Sequence, residues 1–218
     1  MNQAQLNEFL VELKFNNTKA WFDEHRPRYQ MLRAEFVALM GEIIAGVAEF
    51  DVSVKDVQPK DTLFRINRDA RFSHDKAPYK STFSAAISPG GRHSDWPLYY
   101  LQLGPDEAFV AGGVYAPQPE TLRNLRGYIE KHPRKADALL KHPDLLRRFG
   151  GLDTAGTLKR FPRGYGEGSA LLKYKSFTVA APLEAVPDAQ LRDVIVAQFG
   201  VMQPLHAYLR GALAYRAG

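Results

Sequence analysis

The chain lacks cysteine, and this absence removes several kinds of chemistry at once. A protein without thiols has no disulfides, no thiolate nucleophile and no cysteine-ligated zinc or iron–sulfur centre. The six histidines have neither of the spacings, H-x-x-x-H and H-E-x-x-H, that place two metal ligands on one helix. The Walker A and dinucleotide-binding glycine patterns are also missing. We therefore expect no metal and no cofactor.

Long hydrophobic runs are lacking as well. No apolar run approaches the roughly 18 residues that a membrane-spanning helix needs. The first residues, Met1-Asn-Gln-Ala-Gln5, lack the charged and then apolar pattern of a secretory signal. We expect a cytoplasmic protein with no membrane partner. With 45% hydrophobic and 24% charged residues, the composition is typical of a globular chain.

The net charge of +5 is unevenly distributed along the chain. Residues 111–160 carry 10 basic and 5 acidic side chains, whereas residues 61–110 carry 6 of each. A basic helical face of this kind could meet nucleic acid. Acidic residues interrupt it, however, and no stacking aromatics interleave it, so we favour a solvated face over a nucleic-acid interface.

Hydrophobic periodicity predicts helices at both ends of the chain and after the middle. Residues 1–50 are helical by this criterion, with Thr18 able to cap a second helix and Pro27 tolerated as the first residue of a third. Residues 119–149 are helical again, and the proline after His132 and the proline after His142 indicate restarts. A closing helix is predicted from Asp188, as its cap, to about residue 215.

The period changes between residues 62 and 115, where short β-branched or aromatic segments predict strands. The predicted strands are residues 62–66, 82–88, 98–103 and 107–114, with one more at 176–181. Short turns between consecutive strands favour an antiparallel meander. Gly112 and Gly113 indicate a bulge or close backbone packing. The sequence thus predicts a single compact α+β domain over residues 1–218, with an antiparallel sheet packed against N-terminal and C-terminal helices.

Residues 65–80 carry the strongest functional signal. Five cations lie among two carboxylates and two hydroxyls: Arg65, Arg68, Arg71, Lys76 and Lys80, with Asp69, Asp75, Ser73 and Tyr79. The planar guanidinium fork suits phosphate or carboxylate, so clustered arginines favour an anion. The surplus of positive charge cannot be neutralised within the segment, and unpaired buried charge costs several kcal/mol. We therefore favour a ligand site over a structural salt-bridge network in which Tyr79 anchors the loop.

A second basic and aromatic segment follows at residues 159–165 and 173–175. Proline and glycine make it a loop, and loops carry binding sites disproportionately. One hypothesis is that Arg163, Tyr165, Lys173 or Lys175 completes a single positive pocket over the first motif. The alternative is that Tyr165 packs in the core and the cations are solvated.

The first motif also resembles a known family. The pattern Arg68-Asp69-x-Arg71-Phe72-Ser73-x-Asp75-Lys76-x-Pro78-Tyr79-Lys80 is similar to the hallmark of domain of unknown function 2461, a bacterial and fungal family. Further pieces occur in the order that the family shows: Asn16-Asn17-x-x-x-Trp21-Phe22, Gly112-Gly113-x-Tyr115-x-Pro117, Leu158-Lys159-Arg160-x-Pro162-Arg163-Gly164-Tyr165 and Leu171-Leu172-Lys173-x-Lys175-Ser176-Phe177. The resemblance implies one α+β domain and no established activity.

These observations predict a protein that binds a small anionic ligand, bearing phosphate or carboxylate, at residues 65–80. Whether the ligand is turned over stays open. In that case Asp69 or Asp75 is the candidate for proton transfer, and the arginines stabilise developing negative charge. Two alternatives remain. One is a nucleic-acid-binding module that uses residues 119–175, and the other is a protein-interaction domain in which the motif is structural.

Overall fold

A computed structural model of the protein describes residues 1–69, 77–93 and 95–215. Its strands are β1 (Phe83–Ile87), β2 (Leu98–Leu103), β3 (Phe109–Val114) and β4 (Phe177–Pro182). The described helices are α1 (Gln3–Phe15), α2 (Lys19–Glu24), α3 (Arg26–Ala48), α4 (Pro59–Thr62), α5 (Pro119–Lys131), α6 (Pro133–Leu140), α7 (Pro143–Phe149), α8 (Asp188–Val201) and α9 (Gln203–Ala214). Short 3-10 turns occupy Val52–Val54 and Ala170–Lys173. Among the described helices, none combines the length and the apolar character that crossing a bilayer requires.

The helical N-terminal region is confirmed by α1, α2 and α3. The Thr18 hydroxyl caps α2 by accepting a hydrogen bond from the Trp21 N–H at 3.3 Å. The third helix begins at Arg26, so Pro27 lies one residue later than predicted. It remains in the first turn, where a missing N–H costs nothing because that N–H has no partner within the helix.

The predicted antiparallel meander is confirmed, with strand order β1-β2-β3-β4. In the register, Tyr99 lies opposite Gly112, which lies opposite Val179. The strand predicted at residues 62–66 is wrong. A proline at the start favours the single turn of α4, and the Thr62 hydroxyl closes that turn by donating to the Pro59 carbonyl at 2.7 Å. An isolated bridge from Leu63 to Ala85 follows in place of a strand.

The two faces of the sheet have different surroundings. Tyr99 on β2 points into the core, where its ring centroid lies 5.2 Å from that of Phe199 on α8 and 4.1 Å from that of His206 on α9. Phe83 on β1 meets Phe36 on α3 in the same layer, at 5.5 Å. Alternate residues of β2 point the other way and are only half-buried. The fold is therefore α+β, with helices on one face of an antiparallel sheet.

The two glycines of β3 are required by close packing, as predicted. Gly113 has a φ of +115°, and a Cβ at this position would clash with the Phe177 carbonyl on the neighbouring strand. A Cβ at Gly112 would clash with the thioether of Met202 from α8's end. The absence of a side chain at Gly112 lets the C-terminal helices approach the inner face of the sheet.

The helix restarts in the middle of the chain are confirmed, since Pro119, Pro133 and Pro143 each begin a helix. The single closing helix is wrong, because the chain turns at Met202 between α8 and α9. Pro204 has no N–H with which to continue the ladder of α8, so a break at this point is favoured.

The predicted cap of the closing helix is also wrong. Pro187 holds the cap position, and Asp188 is the first residue of α8. Its carboxylate instead accepts a hydrogen bond of 2.8 Å from the side-chain amide of Gln3, which ties the start of α8 to the start of α1. The buried side chains of all these elements form one hydrophobic core. The assignment of the whole chain to a single domain stays a prediction.

Candidate anion site and sheet cleft

The two ends of the first motif pair with each other beside the edge strand β1. The Arg68 N–H donates to the Pro78 carbonyl at 2.9 Å, and the Lys80 N–H donates to the Ile66 carbonyl at 2.8 Å. We call this pair of segments, residues 66–68 and 78–80, the motif ribbon. The predicted site residues Arg71, Ser73, Asp75 and Lys76 lie outside the described residues.

Tyr79 anchors the motif ribbon through both its ring and its backbone. The buried Tyr79 ring stacks on Phe22 with centroids 4.1 Å apart. The Asn17 side chain accepts from the Tyr79 N–H and donates to the Tyr79 carbonyl, each at 3.0 Å. Tyr79 is thus a core anchor, as the structural interpretation of the motif expects. Asn17 was not predicted as a functional residue, although it belongs to the pieces that carry the family resemblance.

Three cations of the motif come close together at the ribbon, and we call Arg65, Arg68 and Lys80 the cation cluster. The Lys80 ammonium is half-buried and lies 5.7 Å from the centroid of the Phe64 ring. Burial lowers the pKa of Lys80 below its ordinary range, and the charges of Arg65 and Arg68 lower it further. No carboxylate of the described residues counters this effect. Protonation of the Lys80 amine is therefore less favourable in the folded protein than in the unfolded chain.

Asp69, the carboxylate of the motif that lies within the described residues, is exposed. Both Arg68 and Asp69 take part in interactions, so neither is a free charge. The part of Asp69 in any proton transfer stays a prediction.

A cleft of about 560 Å³ lies on the outer face of the sheet, and we call it the sheet cleft. Its floor consists of alternate residues of three strands, Leu98, Tyr100, Phe109, Ala111, Thr178 and Ala180. Phe64, directly before the motif ribbon, forms its wall on the β1 side. The volume falls within the range of small-molecule sites in proteins.

Aromatic rings form a row from the cation cluster into the sheet cleft. The Phe64 and Tyr100 centroids are 6.1 Å apart, and those of Tyr100 and Phe109 are 5.5 Å apart. His93 meets Phe64 edge-on at 6.0 Å. Burial raises the pKa of Tyr100, so its hydroxyl stays protonated and donates to the Gln102 side chain at 3.0 Å. Lys80 lies at one end of this row.

The acidic residues that line the sheet cleft are already engaged. Asp95 accepts a hydrogen bond from the Thr121 hydroxyl, and Asp153 accepts one from the Ala155 N–H at 2.8 Å. Ala116, also on the rim, has a φ of +43°, a left-handed conformation that costs a residue with a Cβ about 1 kcal/mol. Strained backbone of this kind often occurs at binding sites.

The second basic segment lies at the opposite edge of the sheet. It precedes β4, and the Asp153 N–H at the start of this loop region donates to the Thr178 carbonyl of β4 at 2.7 Å. Tyr165 is half-buried against the core and Lys173 lies 4.5 Å from the Phe161 ring centroid, whereas Arg163 and Lys175 are exposed. The single pocket that would unite these four residues with the cation cluster stays a prediction.

Several cations of residues 119–175 have partners within the chain. Arg126 donates to the carbonyls of Leu172 and Tyr174, at 3.1 and 3.4 Å. Lys131 lies 5.5 Å from the ring centroid of Tyr215, and Arg147 forms an ion pair with its helix neighbour Asp144. Of these contacts, the ion pair of Arg147 with Asp144 offsets a positive charge that this region could present to a polyanion.

In the part of the chain that the structure describes, no three histidine or acidic side chains are grouped closely enough to hold a metal ion.

Comparison with known proteins gives the family of the chain but no further relative. No curated protein and no solved structure is similar enough to match the chain. A family model matches residues 5–208, which is nearly the whole sequence. The chain therefore belongs to the family described as conserved hypothetical protein (DUF2461).

Proposed function

We propose that this protein binds a small anionic ligand, bearing phosphate or carboxylate, at the cation cluster. The observation that carries the proposal is the environment of Lys80. Its ammonium lies 5.7 Å from the centroid of the Phe64 ring, and among the described residues Arg65 and Arg68 are the charges that lower its pKa. A negative group bound beside it would reverse this unfavourable balance.

The chemistry of the cluster fits an anion with several oxygen atoms. Arg65 and Arg68 can each offer a planar fork of donors, and Lys80 adds a compact charge on a flexible stem. The rest of the motif adds two further cations, Arg71 and Lys76, in the sequence between Arg68 and Lys80. The pKa of Lys80 is lowered in the free protein. A lowered lysine pKa is more consistent with a ligand-binding group than with a partner in a stabilising ion pair.

Thermal unfolding of the wild type, Lys80→Met and Lys141→Met tests the proposal. Methionine keeps an unbranched apolar stem and removes the charge. Lys141 is an exposed lysine on the helical side, so its variant has the same net charge as Lys80→Met. Each protein is heated with phosphate, malonate, a sugar phosphate or duplex DNA, and ligands are compared at the same ionic strength. We expect at least one of these anions to raise the unfolding temperature of the wild type and of Lys141→Met. The affinity of Lys80→Met for that anion should be at least about tenfold weaker.

The same experiment distinguishes the alternatives. Without ligand, Lys80→Met should be at least as stable as the wild type, because the variant removes a charge that folding disfavours. If Lys80→Met instead melts well below Lys141→Met and no anion stabilises any of the proteins, the motif is structural, as in the protein-interaction alternative. If only nucleic acid stabilises the proteins, with an effect that salt removes, the basic region of residues 119–175 is the interface.

A further inference from the structure

We infer that the ligand combines its anionic group with an aromatic ring, and that the ring lies in the sheet cleft while the anionic group meets the cation cluster. This inference rests on the proposed function and specifies the ligand class of the same site. It concerns an aryl or heteroaryl phosphate or carboxylate, and not a free inorganic ion or an aliphatic phosphate.

The outer face of the sheet is unusually apolar for a surface that the helices leave open. In antiparallel sheets with one covered face, the other face generally carries polar residues. Here the half-buried positions on β2 and β3 are Leu98, Tyr100, Phe109 and Ala111, with Gln102 as the polar exception. Rings at such positions provide a flat surface on which a planar group can stack.

Small side chains leave the space for that planar group. Ala111 on β3 lies opposite Ala180 on β4, and both line the sheet cleft beside the larger rings of Tyr100 and Phe109. The result is a shallow recess with a ring floor on one side and methyl groups on the other. A flat ring fills such a recess better than a branched aliphatic group does, because dispersion contacts require close approach over the whole face.

The charges around the sheet cleft give the ligand a direction. Arg92 lines the cleft, and Lys80 lies 5.7 Å from the centroid of Phe64, which also lines it. The carboxylates of Asp95 and Asp153 are held by hydrogen bonds within the rim. The positive end of the cleft is therefore the Phe64 end, and the anionic group of a bound ligand belongs there.

The distances agree with one molecule that spans both parts. The Lys80 ammonium is 5.7 Å from the Phe64 centroid, and the Tyr100 centroid is 6.1 Å from the Phe64 centroid. A ring stacked against Tyr100 and an anion near Lys80 can thus belong to one small molecule that passes Phe64. A bare phosphate could occupy only the charged end.

Isothermal titration with phosphate, glycerol 3-phosphate and phenyl phosphate tests the inference. The variant Ala180→Tyr fills the cleft from an exposed position, and Ala207→Tyr places the same side chain at an exposed position on α9 as the control. Base or ring stacking on one aromatic residue corresponds to roughly five- to hundredfold in affinity. We expect the wild type and Ala207→Tyr to bind phenyl phosphate at least about fivefold more tightly than glycerol 3-phosphate. Ala180→Tyr should lose this preference and still bind phosphate like the wild type.

Each other outcome overturns a defined statement. If the wild type binds all three compounds equally, or if Ala180→Tyr keeps the preference, the ring does not lie in the sheet cleft and the inference is wrong, although the anion site stands. If none of the compounds binds, or if Lys80→Met binds them all as the wild type does, the anion site itself is wrong and the inference fails with it.

Discussion

His206 is a histidine that the folded protein cannot readily protonate. Its side chain is fully buried, and neither ring nitrogen has a hydrogen-bond partner among the described residues. The ring packs on Tyr99 beneath the sheet. Burial lowers the pKa of His206 to about 3, and the charge of Arg210 adds to the effect while Asp51 opposes it. His206 is therefore a neutral core residue at physiological pH.

The burial of His206 predicts that the free energy of unfolding decreases at acidic pH because of this one residue. The unfolded chain protonates His206 near its ordinary pKa of 6.5, whereas the folded protein does so only at about 3. Because the unfolded state binds the extra proton between these values, the free energy of unfolding should fall by about 1.4 kcal/mol for each pH unit of acidification below about 6.5. Urea unfolding at a series of pH values measures this slope.

The comparison variant is His206→Met, and His93→Gln at an exposed position is its control. The slope of stability against pH should decrease by about 1.4 kcal/mol per pH unit in His206→Met and stay unchanged in His93→Gln. Equal slopes in wild type and His206→Met would show that His206 is protonated in the folded protein.

Single residues were predictable from the sequence where their role is local. Lys80 and Arg68 belong to a short motif, and their charge pattern is visible without any structure. His206 is different, because its burial depends on Gly112, which is far away in sequence and lets α9 approach the sheet. Nothing in the neighbourhood of residue 206 distinguishes it from an exposed histidine.

At the scale of elements, the motif ribbon depends on the turn between α1 and α2. The two hydrogen bonds between Asn17 and the backbone of Tyr79 act like one rung of a β-ladder made by a side chain. They hold the ribbon against the N-terminal helices, so the position of the cation cluster depends on a residue more than sixty positions away.

Replacing Asn17 should therefore affect both stability and binding. The variant Asn17→Ala leaves a backbone donor and acceptor unpaired, and we expect a loss of about 2 kcal/mol in the free energy of unfolding. Its neighbour Asn16→Ala is the control, since the exposed Asn16 side chain only donates to the Glu12 carbonyl of its own helix. We expect about 0.5 kcal/mol for that change. Urea unfolding measures both, and equal losses would contradict the anchoring role.

Elements were predicted well where a pattern is long and less well where a turn competes. Strand β2 was predicted with its observed bounds, because aromatic and branched residues lie between two clear turn signals. The segment at residues 62–66 has the same residue types, but Pro59 starts a helical turn, and this turn includes Thr62, the first residue of the segment. The break between α8 and α9 depends on Pro204. The apolar periodicity continues across this break and therefore does not predict it.

At the scale of the whole molecule, the sheet separates two kinds of surface. Its inner face closes the helical core, and its outer face carries the sheet cleft with the cation cluster at the β1 edge. The α+β class could be predicted from the order of helical and strand periods. The cleft could not, because it depends on which face the helices cover, and that choice follows from long-range packing. The charge of the site was thus predictable, and its aromatic floor was not.

The pKa of Lys80 gives the most direct test of the anion site. Lysine labelled with carbon-13 at Cε reports the protonation of each ammonium by NMR. In the free protein we expect the Lys80 pKa below the ordinary range, for reasons of burial and the neighbouring arginines. Adding phosphate or phenyl phosphate at constant ionic strength should raise it, because a bound anion favours the protonated form. Exposed Lys141 should not respond. A Lys80 pKa that stays unchanged at saturating concentrations of these anions would contradict the proposed function.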